Sequence, residues 1–172
     1  MSEPRWLSAE QLRAWVRLVA VVELLPGALD SQLQRDAQLT HFEYFVMAML
    51  SEAPDRTLRM TQLAHTTNAT LPRLSHVVSR LEARGYIERR PHPDDRRATD
   101  ARLTEEGMAK VVATAPGHVG TVRDTVIDSL DDRDVADLER IAGRILERLD
   151  PDRLFGSRTS TEDPAGGDGE AR

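Results

Sequence analysis

Between Thr70 and Arg102 the sequence sets eight arginines, at 73, 80, 84, 89, 90, 96, 97 and 102, against five acidic residues, while the whole 172-residue chain carries −6. The positive charge is therefore local, about +3 in this stretch against an acidic remainder. Lys110 is the single lysine among 23 basic residues. Arginine's planar fork suits bidentate contacts to phosphate or guanine. Within the stretch, Leu74, Val77, Val78 and Leu81 fall at i, i+3, i+4 and i+7, which predicts a helix over 71–84 with one buried side. Its opposite side carries Pro72, Ser75, His76, Ser79 and Ala83, edged by Arg73 and Arg80. Short hydroxyl side chains bordered by arginine let a helix sink into a major groove and reach base edges. Taken alone, the same face also suits a plain solvent-exposed helix. Tyr86 to Arg90 then reads as a strand, Pro91 to Ala98 as a stiff polar loop, and Thr99 to Leu103 as a returning strand. The hairpin carries Arg89 on its first strand and Arg96 and Arg97 at its tip. Such a tip either lies over a neighbouring backbone or minor groove, where arginine is favoured, or is simply solvated.

The elements that must position these residues read as helices on both sides. Residues 8–37 carry Leu12, Trp15, Val16, Leu18, Val19, Val22, Leu25, Leu29 and Leu33 at spacings of three and four, one long helix that Pro26-Gly27 is expected to kink or break. Thr40 caps a second helix to about Glu52, apolar on most sides and central to the core. A loop at 53–56 leads through Leu58 to a short helix opened by Thr61. Asn68 then turns the chain in the left-handed conformation, and Thr70 caps the arginine-edged helix, making a helix-turn-helix. Gly85 ends that helix. Thr104 opens another, interrupted at Pro116-Gly117, and Asp131 caps a last helix that Pro151 stops. The apolar stripes at the two chain ends, which include Leu12, Val126, Leu138, Ile141, Ile145 and Leu149, exceed what one small lobe can cover, and dimerisation is the expected consequence.

Composition excludes several classes of function. The length allows one ordinary domain, not a large multidomain enzyme. No stretch is apolar for long enough to span a membrane, and the start lacks a secretory pattern, so the expected location is cytoplasmic. Without cysteine there are no disulfides, thiolate zinc sites or iron–sulfur clusters. The histidines at 41, 65, 76, 92 and 118 lack close ligand spacing, so no metal site is expected; His92 is read as a DNA or solvent contact. There is no phosphate-cradling glycine loop, nucleophile elbow or paired catalytic carboxylate motif, and neither an enzyme nor a cofactor is expected.

Asp95-Arg96-Arg97, followed by Leu103-Thr104-Glu105-Glu106-Gly107, resembles the wing of the MarR family (multiple antibiotic resistance regulators), which typically reads Asp-x-Arg and then Leu-Thr-x-x-Gly. The run Leu74 to Tyr86, LSHVVSRLEARGY, is similar to that family's recognition helix as it enters the wing. The resemblance covers roughly residues 6–150 and implies a mainly α fold with a small β wing. Its parts would be an N-terminal dimerisation helix (1–38), a winged helix-turn-helix lobe (39–107), C-terminal dimerisation helices (108–155) and a tail (156–172) expected to be disordered. It further implies a two-fold dimer acting as a transcriptional regulator, most often a repressor, on pseudopalindromic double-stranded DNA, with recognition helices in major grooves about 34 Å apart. Arg97 would enter the minor groove, with Asp95 orienting its guanidinium. Thr70, Arg73, Ser75, His76, Ser79 and Arg80 would face bases or phosphates. Pro72 departs from the polar residue usual in relatives.

Family members often bind a small aromatic or phenolic anion between the dimerisation helices and the DNA-binding lobe. The corresponding residues here are Trp15, Leu18, Val19, Val22, His41, Tyr44 and Phe45, and five of the seven aromatics lie before residue 46. An ordinary interhelical core explains that clustering more simply than a pocket does. A reading of a different class is a winged helix that binds protein, for which duplex affinity would be low at any salt concentration.

Overall fold

The computed structural model describes residues 4–151 and Phe155; the tail at 156–172 and the Arg96 side chain lie outside the described residues. The chain runs α1 (Ala9–Ala37), α2 (His41–Glu52), β1 (Thr57–Arg59), α3 (Met60–Thr66), α4 (Leu71–Ala83), β2 (Ile87–His92), β3 (Asp95–Leu103), α5 (Glu105–Thr125) and α6 (Asp132–Leu149). The sheet is antiparallel in the order β1-β3-β2. Ser8 with Gln11, Thr40 with Glu43 and Asp131 with Asp134 form reciprocal capping boxes that satisfy the first free N–H groups of α1, α2 and α6. Thr70 and Thr104 cap α4 and α5.

The core lies where α2, α3, α4 and the sheet meet, around Leu33, Met47, Leu50, Leu63, Leu74, Leu81, Ile87 and Leu103, all essentially without exposure. Leu74, Val77, Val78 and Leu81 form the buried side of α4, as their spacing predicts. Asn68 and Gly85 adopt the left-handed conformation, with φ 48° and 77°. They turn the chain before and after α4. Thr61 does not open α3, which starts one residue earlier behind Arg59 without a side-chain cap.

The breaks expected at the prolines are corrected: α1 passes through Pro26 and α5 through Pro116 without a break. Each proline removes one ladder bond, leaving the carbonyl of Val22 or Val112 without its helical donor. Both of those residues are more than half exposed, so each loss falls on a solvent-facing stretch of its helix. α1 and α5 also pack on each other, and that burial outweighs the local loss.

The wing is longer than its residue types suggest. Pro91 and His92 belong to β2 and Asp95 to Ala98 to β3, so most of the expected loop is strand, with a register irregularity between Pro91 and His92. β2 is an edge strand, where a proline lacking an N–H costs little. β1 was not legible, since three residues show no period; it pairs Thr57, Leu58 and Arg59 with Arg102, Ala101 and Asp100.

α6 is amphipathic yet buries none of its residues. Leu138, Ile141, Ile145 and Leu149 stand exposed, as do Leu12, Trp15, Val16 and Leu24 on α1, and Val126 is half-buried beside them. A cleft of 630 Å³ between these elements is lined by Ala20, Val21, Leu24, Leu25, Val126, Leu130 and Leu138. No described helix is long and apolar enough to cross a membrane.

Candidate nucleic-acid interface

α3 and α4 are joined by a tight turn in which the Thr67 hydroxyl donates to the Leu63 carbonyl at 2.7 Å and the Ala69 N–H to Ala64 at 2.9 Å. This turn presents the outer face of α4 beside the wing. Between α4, the start of α3 and the wing lies a crevice of 240 Å³ lined by Arg59, Thr61, Leu71, Ser75, Arg89, Arg97 and Thr99. Among the described residues no carboxylate pairs with Arg59 or Arg97, so the crevice is cationic. Arg59 was missed in the sequence: it sits in a three-residue strand ahead of α3 and belongs to no periodic face.

The other predicted contacts are distributed unequally. Thr70 and His76 are exposed, and Thr70 Oγ accepts from the Arg73 N–H at 3.4 Å. Arg73 is exposed, with its guanidinium stacked 4.3 Å over the Phe42 ring. Ser75 is half-buried and its carbonyl accepts the Ser79 hydroxyl at 2.9 Å. Arg80 lies 3.1 Å from Glu43, whose carboxylate is nearly buried and also accepts the Thr40 N–H. The pair neutralises that carboxylate and ties α4 to α2, while the Arg80 side chain stays 47% exposed. Arg89 is held by Glu82 at 2.6 Å and donates to Ser79 Oγ at 3.0 Å. The hydrogen bonds from the Arg89 side chain keep the Glu82 carboxyl below the ordinary carboxylate range. Arg90 and Arg102 share Glu88.

In the wing, Asp95 Oδ1 accepts the Arg97 main-chain N–H at 3.0 Å. It holds the backbone of the turn, whereas the resemblance had it grip the guanidinium. Arg97 itself is exposed at the tip. His92 is corrected more fully: its Nδ1 lies 2.8 Å from Asp100, both side chains being largely buried, so it braces the wing from within.

Within the protomer the expected effector residues lie in two places. The His41 N–H bonds Asp30 on α1 at 2.8 Å, and at a rise of about 1.5 Å per residue Trp15 lies roughly 22 Å and Val22 about 12 Å further along that helix. Trp15, Leu18 and Val22 are exposed and Val19 is half-buried on the same stretch. His41, Tyr44 and Phe45 meet other partners instead. Tyr44 is 4.7 Å and His41 6.3 Å from His118 on α5, and Phe45 is 5.5 Å from Phe155, by ring centroids. His118 was missed because nothing in the spacing links 41 to 118.

Burial holds His41 below the ordinary imidazole value of 6.5, partly offset by Asp30. Burial again, then the neighbouring His41, does the same for His118. In the unfolded chain both take up protons near pH 6.5, whereas the folded chain resists, so stability is full above that pH and falls as pH drops below it. Urea midpoints at pH 7.5, 6.0 and 5.0 should decline through this window in the native protein and less steeply in His118→Phe. Equal slopes would remove the pair as the cause. Carboxylates such as Glu82 and Glu88, also held low by arginine, add their own losses nearer pH 4.5.

The comparisons agree with this geometry. Residues 39–99 match the MarR family model. The fold superposes on the DNA complex of Sco3205, a MarR family transcriptional regulator from Streptomyces coelicolor, with TM-score 0.82 and 43% identity over 88% of this chain and 94% of that one. It also superposes on AbsC, a MarR family regulator from the same organism, with TM-score 0.79 and 35% identity over 85% and 98% of the two chains. The HTH-type transcriptional repressor YetL of Bacillus subtilis is 28% identical over 111 residues, a match spanning 64% of this chain and 66% of YetL. With the helix-turn-helix, the cationic crevice and the Leu103-Thr104-x-x-Gly107 junction all in place, this chain belongs to the MarR family.

Proposed function

We propose that the chain is a sequence-specific regulator of transcription, a repressor that binds pseudopalindromic double-stranded DNA as a homodimer. The observation that carries the reading is the outer face of α4 beside a crevice holding Arg59 and Arg97, which pair with no carboxylate among the described residues, in a chain 43% identical to a regulator solved with DNA. The small outer side chains of α4 admit the helix to a major groove. Arg97 at the wing tip reaches the neighbouring minor groove, and Thr70 and Arg73 at the start of α4 meet phosphate.

Selection of binding sites from a random duplex pool, followed by fluorescence anisotropy across a salt series, tests this. A recovered site with two-fold symmetry and a steep salt slope supports it. Affinity that is weak and indifferent to salt would point instead to a protein-binding winged helix. Arg97→Ala should weaken binding to the selected and an unrelated duplex alike and lower the salt slope by about one charge. Unchanged binding would take the wing tip out of the interface.

An effector that relieves repression has to alter how the lobe sits on the long helices. That joint is the contact of α2 with α1 and α5, through Asp30, His41, Tyr44 and His118. Effector candidates are small aromatic molecules, and their test is release of the selected duplex from the complex.

A further inference from the structure

We infer that Glu82 is a specificity-determining positioning residue, which sets the angle between α4 and the wing through Arg89 without touching DNA itself. The inference rests on α4 and the wing being the DNA interface. Between the end of α4 and the start of β2 only Arg84, Gly85 and Tyr86 intervene, and Gly85 is left-handed. Such a short, sharply turned link does not by itself fix where the hairpin points.

Cross-bonds do. The Tyr86 N–H donates to the Leu81 carbonyl at 3.0 Å. Beyond it, one carboxylate takes three bonds from one residue. Glu82 Oε1 accepts the Arg89 main-chain N–H at 3.1 Å, and Oε2 accepts Nε at 2.9 Å and NH2 at 2.6 Å. Because the main chain is included, Glu82 holds the strand as well as the side chain. An exposed ion pair of two mobile side chains would do neither.

The fourth bond runs from Arg89 NH2 to Ser79 Oγ at 3.0 Å, and Ser79 donates its proton to the Ser75 carbonyl. Thus the serine that the outer face of α4 offers to DNA is already engaged, and its position is coupled to the wing. Arg89 lies about five residues from the turn at the wing tip, roughly 16 Å at strand rise. A tilt of about 10° at the clamp moves the tip by about 3 Å, enough to lose a groove contact while α4 stays seated.

Two substitutions separate this role from simple charge. Glu82→Asp keeps the negative charge but is one methylene too short to bridge strand and helix. Glu82→Gln keeps the length and loses the charge. Each is compared with the native protein on the selected duplex and on a scrambled duplex of the same composition, with melting midpoints confirming the fold. The clamp predicts that both variants lose about tenfold on the selected duplex. On the scrambled duplex, Glu82→Asp should stay near the native value, so that specificity falls at unchanged stability. If Glu82 acts only as a repelling charge, Glu82→Asp behaves as native and Glu82→Gln binds both duplexes tighter by one factor, and the inference is overturned. A native protein that binds no duplex at low salt fails the interface reading itself, and the inference with it.

Discussion

Gly107→Ala should destabilise the lobe by about 3 kcal/mol, at the upper end of what overpacking a close contact costs. For a chain of this length that corresponds to a melting midpoint lower by roughly 6–12 °C. The reason is visible at the junction of wing and α5. A methyl group on Gly107 would stand 2.7 Å from Leu103 Cδ1 and run into the Tyr86 carbonyl. That carbonyl cannot retreat, because it accepts the Thr104 N–H at 3.0 Å, and the Thr104 hydroxyl is bonded to the Gly85 carbonyl at 2.7 Å. The motif Leu103-Thr104-x-x-Gly107 is therefore one device: Leu103 is buried, Thr104 caps α5 and ties back to the end of α4, and Gly107 lets the helix backbone touch Tyr86. Gly85→Ala is the comparison. It has open space around it and a φ of +77°, so it should cost only about 1–2 kcal/mol, the penalty for a left-handed non-glycine residue. Urea or thermal unfolding of the two variants gives the ranking. Equal losses would mean that the close approach at Gly107 does not exist.

Much of this architecture is legible in the sequence because its signals are local. The four apolar residues of α4 define its buried side, Asn68 and Gly85 mark the turns at its ends, and Thr40, Thr104 and Asp131 cap the helices that follow them. What escapes is anything that depends on which surfaces meet. Summing the arginines between 70 and 102 treats each as available. In the fold Arg80 is spent on Glu43, Arg89 on Glu82, and Arg90 with Arg102 on Glu88. The proposed interface is thereby left with fewer free charges, Arg97 and the unforeseen Arg59 among them. The effector residues show the same limit: a stripe on α1 shows a face but not its neighbour, and within the protomer the α2 aromatics meet α5. Pro26, Pro91 and Pro116 read as breakers because their local penalty is real. An edge strand and two solvent-facing stretches of helix absorb it. His92 and Asp100 pair across a hairpin irregularity that residue spacing does not disclose.

Ile141→Glu should convert a dimer to a monomer and lower affinity for the selected duplex by two orders of magnitude or more. α6 has one apolar stripe, Leu138, Ile141, Ile145 and Leu149, that the described residues leave more than a third exposed, and α1 exposes Leu12, Trp15, Val16 and Leu24. Together these exceed the scattered apolar exposure that a monomer tolerates. In the proposed homodimer a second copy of the chain supplies the complement, since a two-fold interface sets the same patch against itself. Ile141 is already 48% exposed within the protomer, so glutamate there costs the isolated fold little, and it keeps good helix propensity. In the paired molecule the carboxylate would enter twice and meet apolar partners without a counter-charge. Once one lobe of a dimer is seated on DNA, the second binds at high effective concentration, and that gain, about 10²–10⁴, is what a monomer forfeits. The variant should therefore keep its helical circular dichroism, sediment as a monomer, and bind the selected duplex with about half the native salt slope. An Ile141→Glu protein that stays dimeric and binds as before would place the interface elsewhere and leave the α6 stripe unexplained.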